Sequence, residues 1–355
     1  MSVKTRLERL RNILSSKNVD AILISDEKSI FYFTEFFGGF KLLVPLKEAP
    51  ILFVYSVNYE AAKEFAKNVR IELIKAGEEP SAKLLEEIAR CNIKSLGFDK
   101  MNIPEYLKLN EKLKNVSLKP LENAVWSLRK IKDKHEIELM KKAAEITSRG
   151  MKKAAEIIEA GLKEYEVAAE VEYEMRKLGS NGVAFDTIVC SGSSSAFPHG
   201  GWGNLEIKRG DFVVVDVGAK YRGYCADLTR TFIIGKPTER QTRIYKAVVE
   251  AQKNAINRIK HGVKASEVDA VARDHIAKMG YGEYFVHGLG HGVGLDVHEP
   301  PRLAMSSKDI LSSGNIVTVE PGIYIPGYGG VRIEDTVLVR DKDAVKLTEA
   351  PIPRY

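Results

Sequence analysis

Over residues 1–123, apolar positions alternate between helical spacing and short unbroken runs. Leu7, Leu10, Ile13 and Leu14 form an opening helical stripe, and the apolar runs Ala21–Ile24, 42–45 and Ile51–Tyr55 read as strands. Helical patterns follow at about 59–67, 82–89 and 105–113, with short apolar segments at 71–74 and Ser95–Phe98 between them. Such alternation predicts a small α/β domain whose helices cover a mixed sheet. The segment contains no histidine, and its acids show no paired arrangement on strands. It reads as a non-catalytic domain, 1–123. A second domain, 124–355, begins around the proline of Lys119-Pro120-Leu121 and the charged stretch Arg129-Lys130-Ile131-Lys132-Asp133-Lys134.

From Glu136 the pattern becomes long and helical. Ile137, Met140, Ala144, Met151, Ala155 and Ile158 mark one stripe, and Val167, Val171, Met175 and Leu178 another, closed by Gly179. Thr238-Glu-Arg-Gln241 has the form of a capping box opening a third helix, and a fourth runs from about Ser266 to Met279 before Gly280. The β-branched segments Phe212–Val217, 227–234, 315–320 and 331–339 are bounded by glycine or proline and read as strands. Two helices and a strand hairpin, repeated once, predict an α+β domain of two similar halves with helices backing an antiparallel sheet.

The chain has 355 residues, 44% apolar and 29% charged, a balance that excludes the disordered and fibrous classes. A net charge of +6, spread over the whole length, leaves no footprint for nucleic acid. No apolar run reaches the ~18 residues of a membrane helix, and the basic N-terminus has no signal-peptide core. Cys91, Cys190 and Cys225 form neither a disulfide nor a zinc-finger pattern and point to a reducing, cytoplasmic setting. None of this names an activity.

The chemistry lies in acids placed inside apolar strands. Asp216 interrupts Val213-Val-Val-Asp216-Val-Gly218, and Asp227, Thr229 and Thr231 share one face of the next strand. The turn Lys220-Tyr-Arg-Gly223 predicts a hairpin on which the two aspartates face each other. The pattern recurs where Glu320 ends Ile316-Val-Thr-Val-Glu320 and where Arg332, Glu334 and Thr336 alternate along 331–339. A buried, unpaired carboxylate is costly, so each of these acids needs a cation or a proton partner. For one acid a salt bridge suffices. For four, with only Arg230 and Arg332 on the same segments, a metal centre fits better.

The histidines point the same way. His287, His291 and His298 fall in one stretch whose glycines at 288, 290, 292 and 294 permit close backbone approach, and His199 lies in Phe197-Pro-His-Gly200. His135, His261 and His275 fall on helices or helix ends and read as structural. The glycine-rich stretch matches no phosphate-binding pattern. Gly192-Ser-Ser-Ser-Ala196 reads as a loop rather than a nucleophile elbow, and Cys225 as a small buried residue. Four carboxylates and one imidazole suffice for two divalent ions sharing a carboxylate, and ligation without thiolate suits Mn(II), Co(II), Fe(II) or Zn(II).

In order, Asp216, Asp227, His291, Glu320 and Glu334, in the contexts VVDVGA, ADLTRTF, HGLGHGVGLDVHE, TVEPGIY and GVRIEDT, resemble the site of the pita-bread metallopeptidases. Within that family the chain looks most like the proline peptidases, first prolidase (Xaa-Pro dipeptidase) and next aminopeptidase P. The likeness covers the whole length, because that branch also carries a small α/β N-terminal domain. The resemblance implies two divalent metal ions per subunit, Mn or Co ahead of Fe or Zn. Asp216 and Asp227 would chelate one, His291 and Glu320 would hold the other, and Asp227 and Glu334 would bridge. It implies hydrolysis of the bond before proline in Xaa-Pro dipeptides by a metal-bridging hydroxide, with Glu320 as proton shuttle. His287 and His298 would stabilise the oxyanion or move protons to the leaving nitrogen. His199 and Phe185 would meet the substrate, and Thr229 would support a ligand from behind. Arg302, in His298-Glu-Pro-Pro-Arg302, stands where prolidase-like sequences carry an arginine for the dipeptide carboxylate, with Arg332 the other candidate.

Two alternatives remain at this stage. One is an aminopeptidase P releasing the N-terminal residue from longer Xaa-Pro peptides. The other is a metal-free peptide-binding module of the same fold, which would be expected to lose the ligand set. The expected partners are short proline-containing peptides and, as a homodimer, a second copy of the chain, with no nucleic acid and no membrane. The N-terminal domain is expected to serve dimerisation or substrate gating, with Phe36-Phe-Gly-Gly-Phe40 a candidate loop lent to the partner's site.

Overall fold

In the computed structural model, which describes residues 2–355, the chain divides into two units, one ending at Arg129 and one running from Lys130 to Tyr355. The first unit holds a six-stranded sheet in the order Arg70–Ile74, Ile51–Tyr55, Lys41–Pro45, Ala21–Ile24, Ser95–Phe98, Ser117–Pro120. Lys41–Pro45 runs antiparallel to both Ala21–Ile24 and Ile51–Tyr55, and the flanking strands join in parallel, so the sheet is mixed. The central strands are buried at nearly every position, which is why they read as unbroken apolar runs rather than alternating ones. Three of its α-helices and strands lack a sequence expectation. The helix Glu27–Thr34, capped by Asp26, is too short to set a period, and Ser117–Pro120 is a half-exposed edge strand. The helix Glu122–Arg129 packs on the opening helix Val3–Ser16, so this unit runs past residue 123.

The second unit is built on the helices Lys134–Ile157, Glu164–Lys177, Glu239–Arg258 and Ala265–Lys278, packed in consecutive pairs. The capping box at Thr238 and Gln241 is formed, and a second one joins Asp133 to Glu136. Every pair of named strands in this unit is antiparallel. In the first half, Val213, Val215, Val217 and Leu228 share a core with Ile146, Val167, Val171 and Met175 of the first helix pair. In the second, Val317, Val319, Val337 and Val339 pack with Ile244, Val248, Val268 and Ile276. Burying each such side chain contributes about 1.5–3 kcal/mol, which fixes the parity of the strands. The alternate positions, Asp216, Thr229 and Thr318, therefore turn to the opposite face.

One expectation fails. Residues 331–339 are not a single strand: Gly329–Arg332 pairs with Gly322–Ile325, whereas Asp335–Val339 joins Ile316–Val319 in a separate five-stranded sheet. At the break the chain bonds across to the Leu228–Ile233 strand. The Glu334 N–H donates to the Thr229 carbonyl at 3.0 Å, and Thr231 Oγ1 bonds the Arg332 carbonyl and accepts the Arg332 N–H. Arg332, Glu334 and Thr336 thus do not share one continuous pleat.

Candidate metal centre

The hairpin Phe212–Val217/Leu228–Ile233 sets Asp216 directly opposite Thr229. Asp227, two residues before Thr229, is therefore diagonal to Asp216 on the same face, rather than its direct partner. The connection turns at Arg222-Gly223, both with positive φ (48° and 88°), the geometry of a two-residue hairpin loop between Tyr221 and Tyr224. From the other half, Glu320 follows the end of Ile316–Val319 and Glu334 stands at the strand break. His291 rides on the short strand Gly290–Gly292, between Glu299–Leu303 and Ile316–Val319. Glycine is required there for space. A Cβ on Gly290 would strike the Thr318 backbone carbonyl, and one on Gly292 the carbonyls of Glu299 and Pro300.

Ligand atoms of Asp227, His291 and Glu334 lie within 4.8 Å of one another. His291 Nδ1 is 3.1 Å from the Gly292 carbonyl, so Nδ1 carries the proton of that bond. Nε2 faces the acids, 3.2 Å from Glu320 Oε1 and 3.7 Å from Asp227 Oδ2. Asp216 Oδ1, Asp227 Oδ1 and Glu334 Oε1 are buried without a hydrogen-bond partner. Burial, then the charges of Glu334 and Asp216, push the Asp227 carboxyl well above its ordinary range. Burial and the charges of Glu320 and Asp216 do the same to Glu334. Glu320 goes the other way: burial raises it, but the hydrogen bond and charge of His291 outweigh that and hold it at about 2. His291 is pulled down by burial and raised on balance by the same contact. Like charges crowded with orphaned oxygens, and an imidazole nitrogen turned toward the acids, are a donor set for divalent cations, and the residues fit them.

Thr229 Oγ1 donates to Glu334 Oε2 at 2.6 Å, behind the cluster. Arg332 is buried and committed to the protein. It donates to Asp216 Oδ2 at 2.6 Å, Tyr324 Oη at 2.8 Å, Thr229 Oγ1 at 3.1 Å and the Pro198 carbonyl at 3.3 Å. That commitment removes it as a free anchor for a substrate carboxylate. Arg302, opposite His291 across the strand pair, is exposed, and its guanidinium has no partner among the described residues.

A cavity of about 650 Å³ opens over the cluster, with Phe185, His199, His287, His298, Arg302 and Glu320 in its wall. Both ring nitrogens of His287 are engaged, Nδ1 with the Gly288 carbonyl at 2.8 Å and Nε2 with Tyr324 Oη at 2.9 Å. Burial lowers the pKa of His287 and pushes the Tyr324 phenol up to about 12. The His298 ring meets that of His291 with 4.2 Å between centroids, and burial followed by the charge of His291 lowers its pKa. His199 is exposed on the loop after the turn Gly192–Ala196. In that turn Ser194 and Ser195 bond neighbouring backbone, and Cys190 and Cys225 are buried free thiols.

Sequence reasoning missed two residues here. Tyr324 joins His287 to Arg332; its signal was a hydroxyl-bearing side chain two residues past Gly322 in an apolar strand. Thr318 accepts the His291 N–H at 3.0 Å and donates to Glu320 Oε1 at 3.1 Å, and its parity with Glu320 pointed to it.

Residues 138–341 match the model of metallopeptidase family M24, and residues 6–131 that of the Creatinase/Prolidase N-terminal domain. The chain belongs to metallopeptidase family M24. It is 42% identical to the Xaa-Pro dipeptidase of Pyrococcus furiosus over 98% of each chain. The solved structure of an Xaa-Pro dipeptidase from Bacillus anthracis superposes with a TM-score of 0.94 at 38% identity, covering 99% of both chains. An X-Pro aminopeptidase from Thermotoga maritima superposes at 0.91 and 35% identity, over 98% of this chain and 99% of that one. The architecture is thus the α+β pita-bread fold, and the chain is a metallopeptidase whose family implies divalent metal ions. Among the described residues no helix is long and apolar enough to cross a membrane.

Proposed function

We propose that this metallopeptidase hydrolyses the bond before proline in Xaa-Pro dipeptides, using two divalent ions held by Asp216, Asp227, His291, Glu320 and Glu334. When bound, the ions supply Lewis acidity that polarises the scissile carbonyl and makes water nucleophilic near neutral pH. Glu320, beside His291, would take up the proton released as water adds to the carbonyl. The bond before proline is a tertiary amide whose leaving nitrogen must gain a proton. His287 moves protons toward that nitrogen by exchanging its Nε2 bond to Tyr324 for one to the substrate. His298, whose ring nitrogens have no hydrogen-bond partner among the described residues, supplies the N–H for the oxyanion. His199 and Phe185 shape the substrate wall, Thr229 orients Glu334, and Arg332 orients Asp216.

The observation that carries the dipeptide reading is Arg302, an unpaired guanidinium in the wall of the same cavity as the acids. A dipeptide puts its carboxylate directly after proline, within reach of a forked cation that a longer peptide cannot use in the same way. Aminopeptidase P is the second reading, favoured by the likeness to the Thermotoga maritima aminopeptidase. The test compares Xaa-Pro with Xaa-Pro-Xaa after loading with Mn(II) or Co(II). Dipeptides should be cleaved faster, and Arg302→Met should raise KM for them about 10-fold or more while sparing tripeptides. Equal turnover of tripeptides would favour aminopeptidase P. A metal-free binding role has no answer for three orphaned carboxylate oxygens. We further propose Mn or Co as the native metal and a cytoplasmic homodimer, the free cysteines fitting a reducing compartment. The N-terminal unit then serves dimerisation and substrate gating, without ligands of its own.

A further inference from the structure

We propose that Asp269 and Arg273, on the helix Ala265–Lys278, are positioning residues for His287; the inference rests on the proton-transfer role given to His287 above. His287 lies on residues 286–289, outside any strand or helix, between the turn Gly282–Tyr284 and the strand Gly290–Gly292. No sheet ladder holds this segment, so its backbone groups must be fixed from elsewhere. The helix is itself fixed, because Val268, Ala272 and Ile276 are fully buried in the core of the second half. Asp269 and Arg273, one turn apart, point together toward the His287 segment.

One ion pair grips three backbone groups around His287. Arg273 pairs with Asp269 through Nε at 2.8 Å and Nη2 at 3.0 Å. Its Nη1 donates to the Phe285 carbonyl at 2.9 Å and its Nη2 to the His287 carbonyl at 2.7 Å. Asp269, fully buried, uses Oδ1 to accept the Leu289 N–H at 3.0 Å. The guanidinium also lies 4.2 Å from the Phe285 ring centroid, and that ring meets His287 edge-on at 5.2 Å. The contacts therefore bracket His287 before, at and after its own residue and leave its imidazole aimed at Tyr324. A forked, planar cation is needed for this, since an ammonium cannot serve two carbonyls and a carboxylate in one plane.

The test is a double-mutant cycle on the metal-loaded enzyme, with hydrogen exchange as an independent readout. Arg273→Met is expected to lower kcat about 10- to 100-fold with KM changed less than about threefold, because misplacement acts on the reacting geometry. In a His287→Ala background the same change should cost less than about threefold. Arg273→Lys, the milder variant should Met not fold, should fall near Met. Amide exchange at 286–289 should quicken in both variants while the helix cores stay protected. Equal losses in the two backgrounds, or unchanged kcat and exchange, would overturn the positioning role alone. A His287→Ala variant with full activity would instead overturn the role of His287, and this inference with it.

Discussion

A carboxylate oxygen buried without a donor is tolerated only where a cation or a proton satisfies it. Glu334 is the sharpest case: Oε2 takes the Thr229 hydroxyl, while Oε1 has nothing and burial pushes the group well above its usual range. Glu334→Gln keeps an acceptor for Thr229, removes the charge, and adds an amide N–H beside other orphaned oxygens. The metal-stripped variant should therefore gain about 1 kcal/mol in urea unfolding over the stripped parent, while peptidase activity falls about 100-fold or more. A stripped variant less stable than its parent would count against the cluster being held at a cost. Single residues were legible where parity isolates them. Asp216 and Glu320 each break a run of buried valine and isoleucine, so their chemistry stands out from one strand alone. Tyr324 and the hold of Arg332 on Asp216 were not legible, because each joins residues that only the folded sheets bring together.

Elements were readable where one stripe faces one core, as in the helices Glu239–Arg258 and Ala265–Lys278, and misread where pairing switches partners. Residues 331–334 alternate up to the break, where Glu334-Asp335-Thr336 interrupts the period, and what ends the first strand is hydrogen bonding from the distant Leu228–Ile233 strand. Arg230 of that strand secures the next one. Its Nη2 meets Asp335 Oδ1 at 2.9 Å, and its Nη1 bonds the Thr229 carbonyl at 2.9 Å and the Glu334 carbonyl. Burial would raise Asp335, but the charges of Arg230 and Lys346 outweigh it and hold its carboxyl low. Arg230→Met leaves Asp335 with Lys346 as its remaining cation, beside donors from Gln252 and Thr348, and should cost about 3 kcal/mol in chemical denaturation near neutral pH. Because the carbonyl of Glu334 loses its partner too, metal retention in dialysis against a chelator should weaken in the same variant. Loss of stability with metal retention unchanged would show that the break is not what holds Glu334.

At the scale of the molecule, the acids and His291, as the proposed ligands, would couple folding to metal through protons. Asp227 and Glu334 have raised pKa values in the fold, first through burial and then through neighbouring charge. A carboxyl raised on folding binds its proton more tightly folded than unfolded. Its penalty is absent below the unfolded pKa of about 4 and grows as pH climbs above it. Glu320, held at about 2, contributes in the opposite sense, but its change lies below about pH 4.5 and leaves the neutral range untouched. His291, raised on balance by Glu320, must also release a proton before Nε2 can bind metal. Among the groups proposed to hold the metal, the shifts near neutrality have one sign: rising pH destabilises the stripped protein and strengthens metal binding, whereas His287 and His298, lowered by burial, act in the opposite sense below about pH 6.5 but hold no metal. The Tm gap between Mn- or Co-loaded and chelator-stripped protein, at fixed metal concentration, should widen steadily from about pH 5 to about pH 8. Differential scanning calorimetry across that range measures it directly. A gap that stays constant or narrows would mean that protons and metal do not compete for these groups, and the cluster would lose its role as the metal centre.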